Sequence, residues 1–252
     1  MAELVYDEKG RLLFTEEMRR EYTILIPMML PIHFTLLSRI FNTHGYKVEL
    51  LRTTHRGIVD EGLQNVHNDT CYPALLVIGQ LIDALKSGKY DINKTALMIT
   101  QTGGGCRASN YIHLLRKALK KNGFEHVPVV SLNLSGMEKN PGFKLTVKLM
   151  YQLVAAVCYA DVLMWLANQV RPYEINKGQT DELVDKWVEK LIKSKIGIRD
   201  FDAKVNRIVK DFEAIPVNIV PKIKVGIVGE IYIKYAPLGN NCLEEFLQSE
   251  GV

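Results

Sequence analysis

Short apolar runs alternate with amphipathic stretches between residues 22 and 132, and this alternation predicts a parallel α/β sheet. The runs at 22–27, 47–51, 95–101 and 127–132 have the length and flanking turn residues of buried strands. The stretches at 33–43, 58–66, 74–85 and 109–121 place apolar residues at helical spacing, and Gly45, Gly88 and Gly123 mark the ends of three of them. Strands separated by helices of this length form a parallel sheet, so we expect an α/β domain over residues 22–142.

The pattern changes after residue 142, because only helical spacing continues from 143 to about 215. Helices are predicted at 149–170, 180–193 and 200–212, and together they make an all-helical region. The first is long enough to cross a bilayer, but Asp161 lies near its middle, with Gln152 and Asn168 nearby. We therefore expect a buried or interface helix and no membrane span.

The two ends of the chain carry weaker patterns. Residues 1–21 are rich in charge and predict an N-terminal arm. After Pro216 and Pro221, which bracket a linker, residues 222–229 predict a new strand and residues 240–249 a new helix. Residues 216–252 thus indicate a linker and the first βα unit of a second α/β domain. One such unit cannot bury its own sheet, so the pattern predicts a fragment of a longer protein.

Composition narrows the class of protein. A hydrophobic share of 47% and a charged share of 24% are ordinary for a soluble domain. The net charge of +4, without a run of Lys or Arg, argues against nucleic-acid binding. The first residues lack the basic and apolar regions of a signal peptide, so we expect a cytoplasmic protein. Its four cysteines are then expected to be reduced thiols or metal ligands.

Two of the cysteines, Cys71 and Cys106, lie in matching places, because each ends a polar or glycine-rich turn that leads into a predicted helix. A helix N-terminus offers unpaired N–H groups and partial positive charge, which favour the thiolate that ligates metals. Two such sites in one domain suggest a shared soft-metal or iron–sulfur site. The alternative is a tight turn with inert thiols, and the glycine pattern matches no phosphate-binding loop.

Other candidate residues leave further alternatives open. A zinc site from His67, Cys71, Cys106 and one more ligand is conceivable, although no paired Cys-x-x-Cys is present. Cys158 is expected to pack in a core, and Cys242 to open the last helix. Three polar residues, His33, Glu138 and Lys139, lie near the ends of predicted strands, and the loop at 135–142 either lines a cleft or is an ordinary turn.

Several segments resemble the activator-related relatives of the 2-hydroxyacyl-CoA dehydratase system. They lie at 66–73, 101–111, 131–136, 139–143 and 225–230, and the triple-glycine segment before Cys106 is the most specific of them. The resemblance implies two Rossmann-like α/β domains with a helical insertion and an iron–sulfur cluster between the domains. In that wider family three cysteines hold a [4Fe–4S] cluster, and related proteins carry a double-cubane cluster.

Cys71 and Cys106 match the first two ligand positions of that family, and a third ligand is expected in the second domain. The N–H groups of the turn and helix ends are expected to hydrogen-bond the cluster. The cofactor-binding residues predicted beside the cysteines are Gly103, Gly104, Gly105, Arg107, Ser109 and Asn110.

The resemblance also implies partners and an activity, that of a part of an iron–sulfur lyase (a dehydratase) or reductase. The implied partner is an ATP-dependent activator that supplies low-potential electrons, and the implied substrate class is an acyl-CoA. The apolar helix suggests a homodimer. The alternatives are a regulatory or scaffold domain that docks the activator, and a zinc-binding hydrolase.

Overall fold

A four-stranded parallel sheet forms the centre of the protein. The computed structural model describes residues 2–67, 69–101, 106–133, 138 and 140–252. The strands are β1 (Thr23–Pro27), β2 (Lys47–Leu51), β3 (Thr95–Thr100) and β4 (Val129–Leu132), in the spatial order β2-β1-β3-β4. Every neighbouring pair is parallel, which confirms the predicted α/β class.

Helices cover both faces of this sheet. The connections contain α2 (Pro31–Thr43), the pair α3 (Gly57–Asn65) and α4 (Tyr72–Lys86), and α5 (Tyr111–Lys121). Successive strand residues point to opposite faces. Ile24 and Ile26 of β1 therefore join the core that contains α2, whereas Leu25 joins the core that contains α3, α4 and α5.

The predicted helical region consists of α6 (Val147–Val170), α7 (Gln179–Lys193) and α8 (Phe201–Glu213). It shares one core with α2 and with the sheet face behind it. Along α6, Ala156, Tyr159 and Leu163 are buried, whereas Val154 and Trp165 are exposed. By length and composition alone, the helical stretch Val147–Tyr173 within the described residues is able to cross a membrane, and a third of its most apolar window is buried.

The prediction of a separate N-terminal arm is wrong. A short helix, α1 (Glu16–Glu21), follows Phe14, and the side chains of Phe14 and Met18 are completely buried in the core that contains α2. The Phe14 N–H donates to Asn140 Oδ1 over 2.9 Å, and its carbonyl oxygen accepts from the Gly142 N–H at 2.8 Å. Charged residues dominate the sequence of this segment, so the few apolar side chains that anchor it give no recognisable pattern.

The prediction of a strand at residues 222–229 is also wrong, since the structure describes no strand there. A strand requires a partner, and this run pairs with none of the four described strands; its Val228 remains 87% exposed. Three short helices follow, α9 (Ile231–Tyr235), α10 (Pro237–Asn240) and α11 (Leu243–Ser249). Tyr232, Ala236 and Leu238 pack in the core that contains α4, so this segment packs on the first domain.

Candidate functional site

The order of the strands reverses between β1 and β3. From β1 the chain moves to β2 on one side, and it then returns to form β3 and β4 on the other side of β1. The helix after β1 packs on one face of the sheet, and the helix after β3 packs on the other. In doubly wound sheets ligands bind at such a point, outside the carboxyl ends of the strands. Cys106 comes six positions after Thr100, the last residue of β3, and α4 carries Cys71 at its start and leads back to the beginning of β3. Both cysteines therefore lie at the carboxyl edge of the sheet.

Cys71 is the N-cap residue of α4. Its backbone is extended, and Pro73 occupies the first helical turn, where its missing N–H leaves no hydrogen bond unmade. The half-buried thiol lies 2.7 Å from the Oη of Tyr111, the first residue of α5. Cys71 therefore joins the starts of two helices through one sulfur–phenol contact.

Cys106 is the N-cap residue of a short 3₁₀ helix, Arg107–Asn110, which continues into α5. Its exposed sulfur accepts a hydrogen bond from the Ala108 N–H over 3.5 Å. Asn110, which directly precedes α5, makes no side-chain cap bond to that helix.

Tyr111 connects the two cysteines electrostatically. Burial raises the pKa of the Tyr111 hydroxyl, and the hydrogen bond to Cys71 and the charges of both cysteines raise it further. The phenol therefore keeps its proton at neutral pH. A protonated phenol is a hydrogen-bond donor, so it can stabilise a Cys71 thiolate, which only accepts.

The two cysteine turns are also joined by a backbone contact. Arg107 Nη1 donates to the carbonyl oxygen of Asp69 over 3.2 Å, so this predicted site residue bridges the turns. The three predicted glycines, Gly103, Gly104 and Gly105, lie outside the described residues, and so does Lys139.

A buried polar chain between β3 and β4 lies beside the Cys106 turn. Ser131 Oγ donates to Gln101 Oε1 at 2.8 Å, and Asn133 Nδ2 donates to Ser131 Oγ at 2.7 Å. Gln101 Nε2 donates to the carbonyl oxygen of Ser109 over 3.3 Å. This chain fixes the ends of both strands against the turn. The sequence analysis missed its role, although a serine inside a buried apolar strand is a signal for such a bond.

The remaining candidates do not join the cysteine pair. His67 contacts Asp69, and its side chain is 73% exposed. Cys158 lies half-buried on α6, and Cys242 lines a separate cavity, where burial and then Glu245 raise the pKa of its thiol. Within the described ranges no group of three or more His, Cys, Asp or Glu is placed to hold a metal ion. The zinc alternative thus has no ligand set there.

Glu138 and His33, which were predicted to lie near strand ends, contact residues other than the two cysteines. Glu138 accepts two hydrogen bonds of 2.7 Å from Arg116 and lies 3.1 Å from Arg11. Burial alone would raise the pKa of Glu138, but the hydrogen bonds and charge of Arg116, with Arg11 and His113, hold it below its ordinary value. His33 Nε2 lies 2.8 Å from Asp161 Oδ1, across from α2 to α6.

An iron–sulfur cluster is the group that the family resemblance implies for this site. Clusters of the [4Fe–4S] type are commonly held by four cysteine thiolates, and by three in the family that the chain resembles. Cys71 and Cys106 agree with that chemistry in ligand type and in their position at helix starts, but they are two ligands only. The described residues thus fit part of a cluster site and do not complete one.

A comparison with protein-family models, with curated proteins and with solved structures found no match to this chain.

Proposed function

We propose that the chain is an iron–sulfur electron-transfer component of the 2-hydroxyacyl-CoA dehydratase type, in which Cys71 and Cys106 supply two thiolate ligands. The observation that carries the proposal is the contact of both cysteine turns at the carboxyl edge of the sheet, through Tyr111 and through Arg107. The resemblance of the surrounding segments supplies the type of cofactor. The two turns supply two of the ligands, and the proposal places the others outside these turns.

The protein around the two sulfurs has suitable properties for this role. The starts of α4 and of the 3₁₀ helix before α5 present partial positive charge, which favours thiolates and an anionic cluster. Exposure of Cys106 leaves its sulfur accessible to a cluster or partner. An ATP-dependent activator is the redox partner that we propose, in the cytoplasm, and we assign no acyl-CoA substrate to a particular pocket.

Anaerobic reconstitution of the purified chain with iron and sulfide tests the proposal. We expect an absorption band near 400 nm, roughly where thiolate-bound iron–sulfur centres absorb, together with bound iron and sulfide. The double variant Cys71→Ser, Cys106→Ser is expected to lose both. A matched control is Cys158→Ser, Cys242→Ser, which removes the same number of thiols from other sites and is expected to keep them.

The scaffold alternative gives a different result. A domain that only docks the activator binds it without a cluster, and the Cys71→Ser, Cys106→Ser variant binds as well as the original chain. Absence of the absorption band, or a band equally strong in that variant, rejects the cluster proposal.

A further inference from the structure

Helix α6 carries a largely apolar stripe that the described part of the chain leaves at the surface. Its members are exposed or half-buried and recur every three or four residues: Val147, Tyr151, Val154, Cys158, Asp161 and Trp165. Val147, Val154 and Trp165 are 88%, 51% and 64% exposed. Alternating intervals of four and three residues are typical of helices that pack lengthwise against another helix. The stripe therefore has the spacing of a helix-packing seam.

The stripe is long enough to form a protein interface. From Val147 to Trp165 it extends over about 27 Å, at a helical rise of 1.5 Å per residue. Two more exposed apolar residues, Val157 and Ile198, lie beside it, and the Ile198 N–H donates to Tyr151 Oη over 2.7 Å. Continuous apolar patches of this extent mark interaction sites, and tryptophan and tyrosine are among the residues that contribute most binding energy there.

Asp161 argues against lipid as the group that covers the stripe. Its side chain is 63% exposed, and its Oδ1 accepts from His33 Nε2 at 2.8 Å. Contact with hydrocarbon would remove water from this charge and supply no new donor, whereas a protein partner can supply one. The opposite face of α6 is buried in the core that contains α2, so the helix is held in the body of the protein.

The stripe is complementary to itself when a second copy packs against it in the opposite direction. Its intervals are four, three, four, three and four residues, which is the same series from either end. With a two-fold axis at the level of position 156, Val147 of one copy lies opposite Trp165 of the other, and Val154 lies opposite Cys158. Apolar members thus meet apolar or thiol members, as a two-fold interface requires.

The two polar members of the stripe decide the direction of packing. The antiparallel register places Tyr151 of one copy opposite Asp161 of the other. Tyr151 Oη accepts from the Ile198 N–H, so its own proton remains to be donated, and a carboxylate accepts several bonds, so Asp161 can accept it and keep His33. A parallel pair in register would instead place two Asp161 carboxylates face to face, where like charges repel.

We propose that two copies of the chain associate through α6 in this antiparallel register and form a two-fold symmetric dimer. A seam of one helix from each copy is smaller than a standard interface, which buries roughly 800 Å² per partner, so we expect a reversible dimer with a dissociation constant on the order of 10 µM. The dimer is independent of the iron–sulfur proposal, because neither Cys71 nor Cys106 lies on α6.

Sedimentation equilibrium of the full chain tests the association, at concentrations from about 1 to 200 µM that bracket the expected constant. Val154→Glu, close to the two-fold axis, is expected to raise the dissociation constant at least about tenfold, because it brings two carboxylates into an apolar contact. The matched control is Val228→Glu, at an 87% exposed valine outside α6; it is expected to change the constant less than about twofold. A monomer at every concentration, or an equal effect of both variants, overturns the proposal.

Cysteine cross-linking tests the direction of packing. In a chain whose four cysteines are replaced by serine, Val147→Cys and Trp165→Cys are made separately. In the antiparallel dimer the two copies of position 147 lie about 27 Å apart, whereas a disulfide needs Cβ atoms about 4 Å apart. Under mild oxidation we therefore expect a covalent dimer from the mixture of the two variants and none from either alone. Cross-linking of Val147→Cys with itself contradicts the register, and so does a mixture that fails to cross-link.

Co-sedimentation with phosphatidylcholine vesicles separates the dimer from a helix that contacts lipid. We expect the chain to stay in the supernatant, since the stripe is covered by the second copy. Binding to vesicles that Val154→Glu abolishes would assign the stripe to lipid and overturn the dimer proposal.

Discussion

Glu138 is an example of a carboxylate whose role is structural. Its side chain is only 6% exposed, and two arginines bind it. We expect Glu138→Gln to lower the free energy of unfolding at pH 7 by about 1–3 kcal/mol, because Arg116 and Arg11 lose their charged partner. The pKa of Glu138 is held below its ordinary value of 4.5, so the stabilisation is complete above that pH and disappears as the pH falls through the lowered pKa.

Urea denaturation at several pH values measures this effect. The difference between the original chain and Glu138→Gln is expected to be constant from pH 6 to pH 7 and to shrink below about pH 4.5, where the unfolded carboxyl group takes up a proton. Glu250→Gln, at an exposed glutamate near the C-terminus, is the control. A difference that persists unchanged into strong acid contradicts the ion-pair explanation.

Tyr111 is expected to control the reactivity of Cys71 and to leave that of Cys106 nearly unchanged. Tyr111→Phe removes the hydroxyl that lies 2.7 Å from the Cys71 sulfur. A thiolate loses a hydrogen-bond donor, so we expect iodoacetamide to alkylate Cys71 about three to ten times more slowly at pH 8. Peptide mass spectrometry measures both cysteines in one sample, and Cys106, whose sulfur accepts from Ala108 N–H, is the internal control. Equal rates for Cys71 in both proteins contradict the prediction.

The sequence predicted the positions of the two cysteines better than it predicted their partners. Turn composition and the following apolar run are local signals, and they were sufficient to place Cys71 and Cys106 at helix starts. The partner of Cys71 is Tyr111, forty residues away in sequence. The chain from Gln101 to Ser131 likewise depends on the pairing of β3 with β4. Such contacts follow from the sheet order, which periodicity alone does not determine.

Helices α3 and α4 cross closely because of two glycines. A Cβ atom on Gly79 would collide with the carbonyl oxygen of Ile58, and one on Gly62 would collide with the backbone of Leu75. We expect Gly79→Ala to lower the free energy of unfolding by about 1–3 kcal/mol, although alanine favours the helix itself, because backbone atoms cannot move aside as side chains do. Chemical denaturation with circular dichroism detection measures this change.

Gly226→Ala is the control for this substitution, because nothing lies within 4 Å of a Cβ atom at that position and its backbone is unstrained. It is expected to change stability by less than about 0.5 kcal/mol. If Gly79→Ala proves as stable as the original chain, the two helices pack less closely than the structure describes.

Among whole elements, the strands of the sheet and the long helices were predictable, whereas the segment 222–229 was not. The sheet strands are apolar because helices cover both of their faces, and that is the pattern a sequence displays most clearly. The segment at 222–229 has the same local composition but pairs with none of the described strands. Local pattern therefore predicts the tendency to form a strand, while pairing decides whether one forms.

Both ends of the chain belong to the packed body of the protein. Phe14 and Met18 join the core on the α2 side of the sheet, and Tyr232 joins the core on the α4 side. The sequence predicts domain boundaries at residues 22 and 216. In the structure, the segments on the two sides of each of these positions pack together. Each end contributes only a few apolar side chains, and their burial depends on the complete sheet.

Tyr232 tests whether the C-terminal segment stabilises the whole molecule. The side chain packs in the core with α4, and its hydroxyl is buried without a hydrogen-bond partner among the described residues; burial also raises the pKa of this hydroxyl. We expect Tyr232→Ala to lower the free energy of unfolding by about 3–5 kcal/mol in a single cooperative transition, because it leaves a large cavity. Tyr232→Phe keeps the ring and removes an unpaired polar group, so it is expected to preserve or slightly raise stability.

Thermal unfolding followed by calorimetry distinguishes a C-terminal segment that folds independently from one that unfolds together with the sheet. If residues 216–252 formed an independent unit, Tyr232→Ala would leave the main transition of the sheet unchanged. The packing of Tyr232, Ala236 and Leu238 against α4 instead predicts that the main transition itself moves to lower temperature. Because α4 also carries Cys71 at its start, the same variant is expected to accelerate alkylation of Cys71 near the lowered melting temperature, which couples the C-terminal segment to the cysteine site.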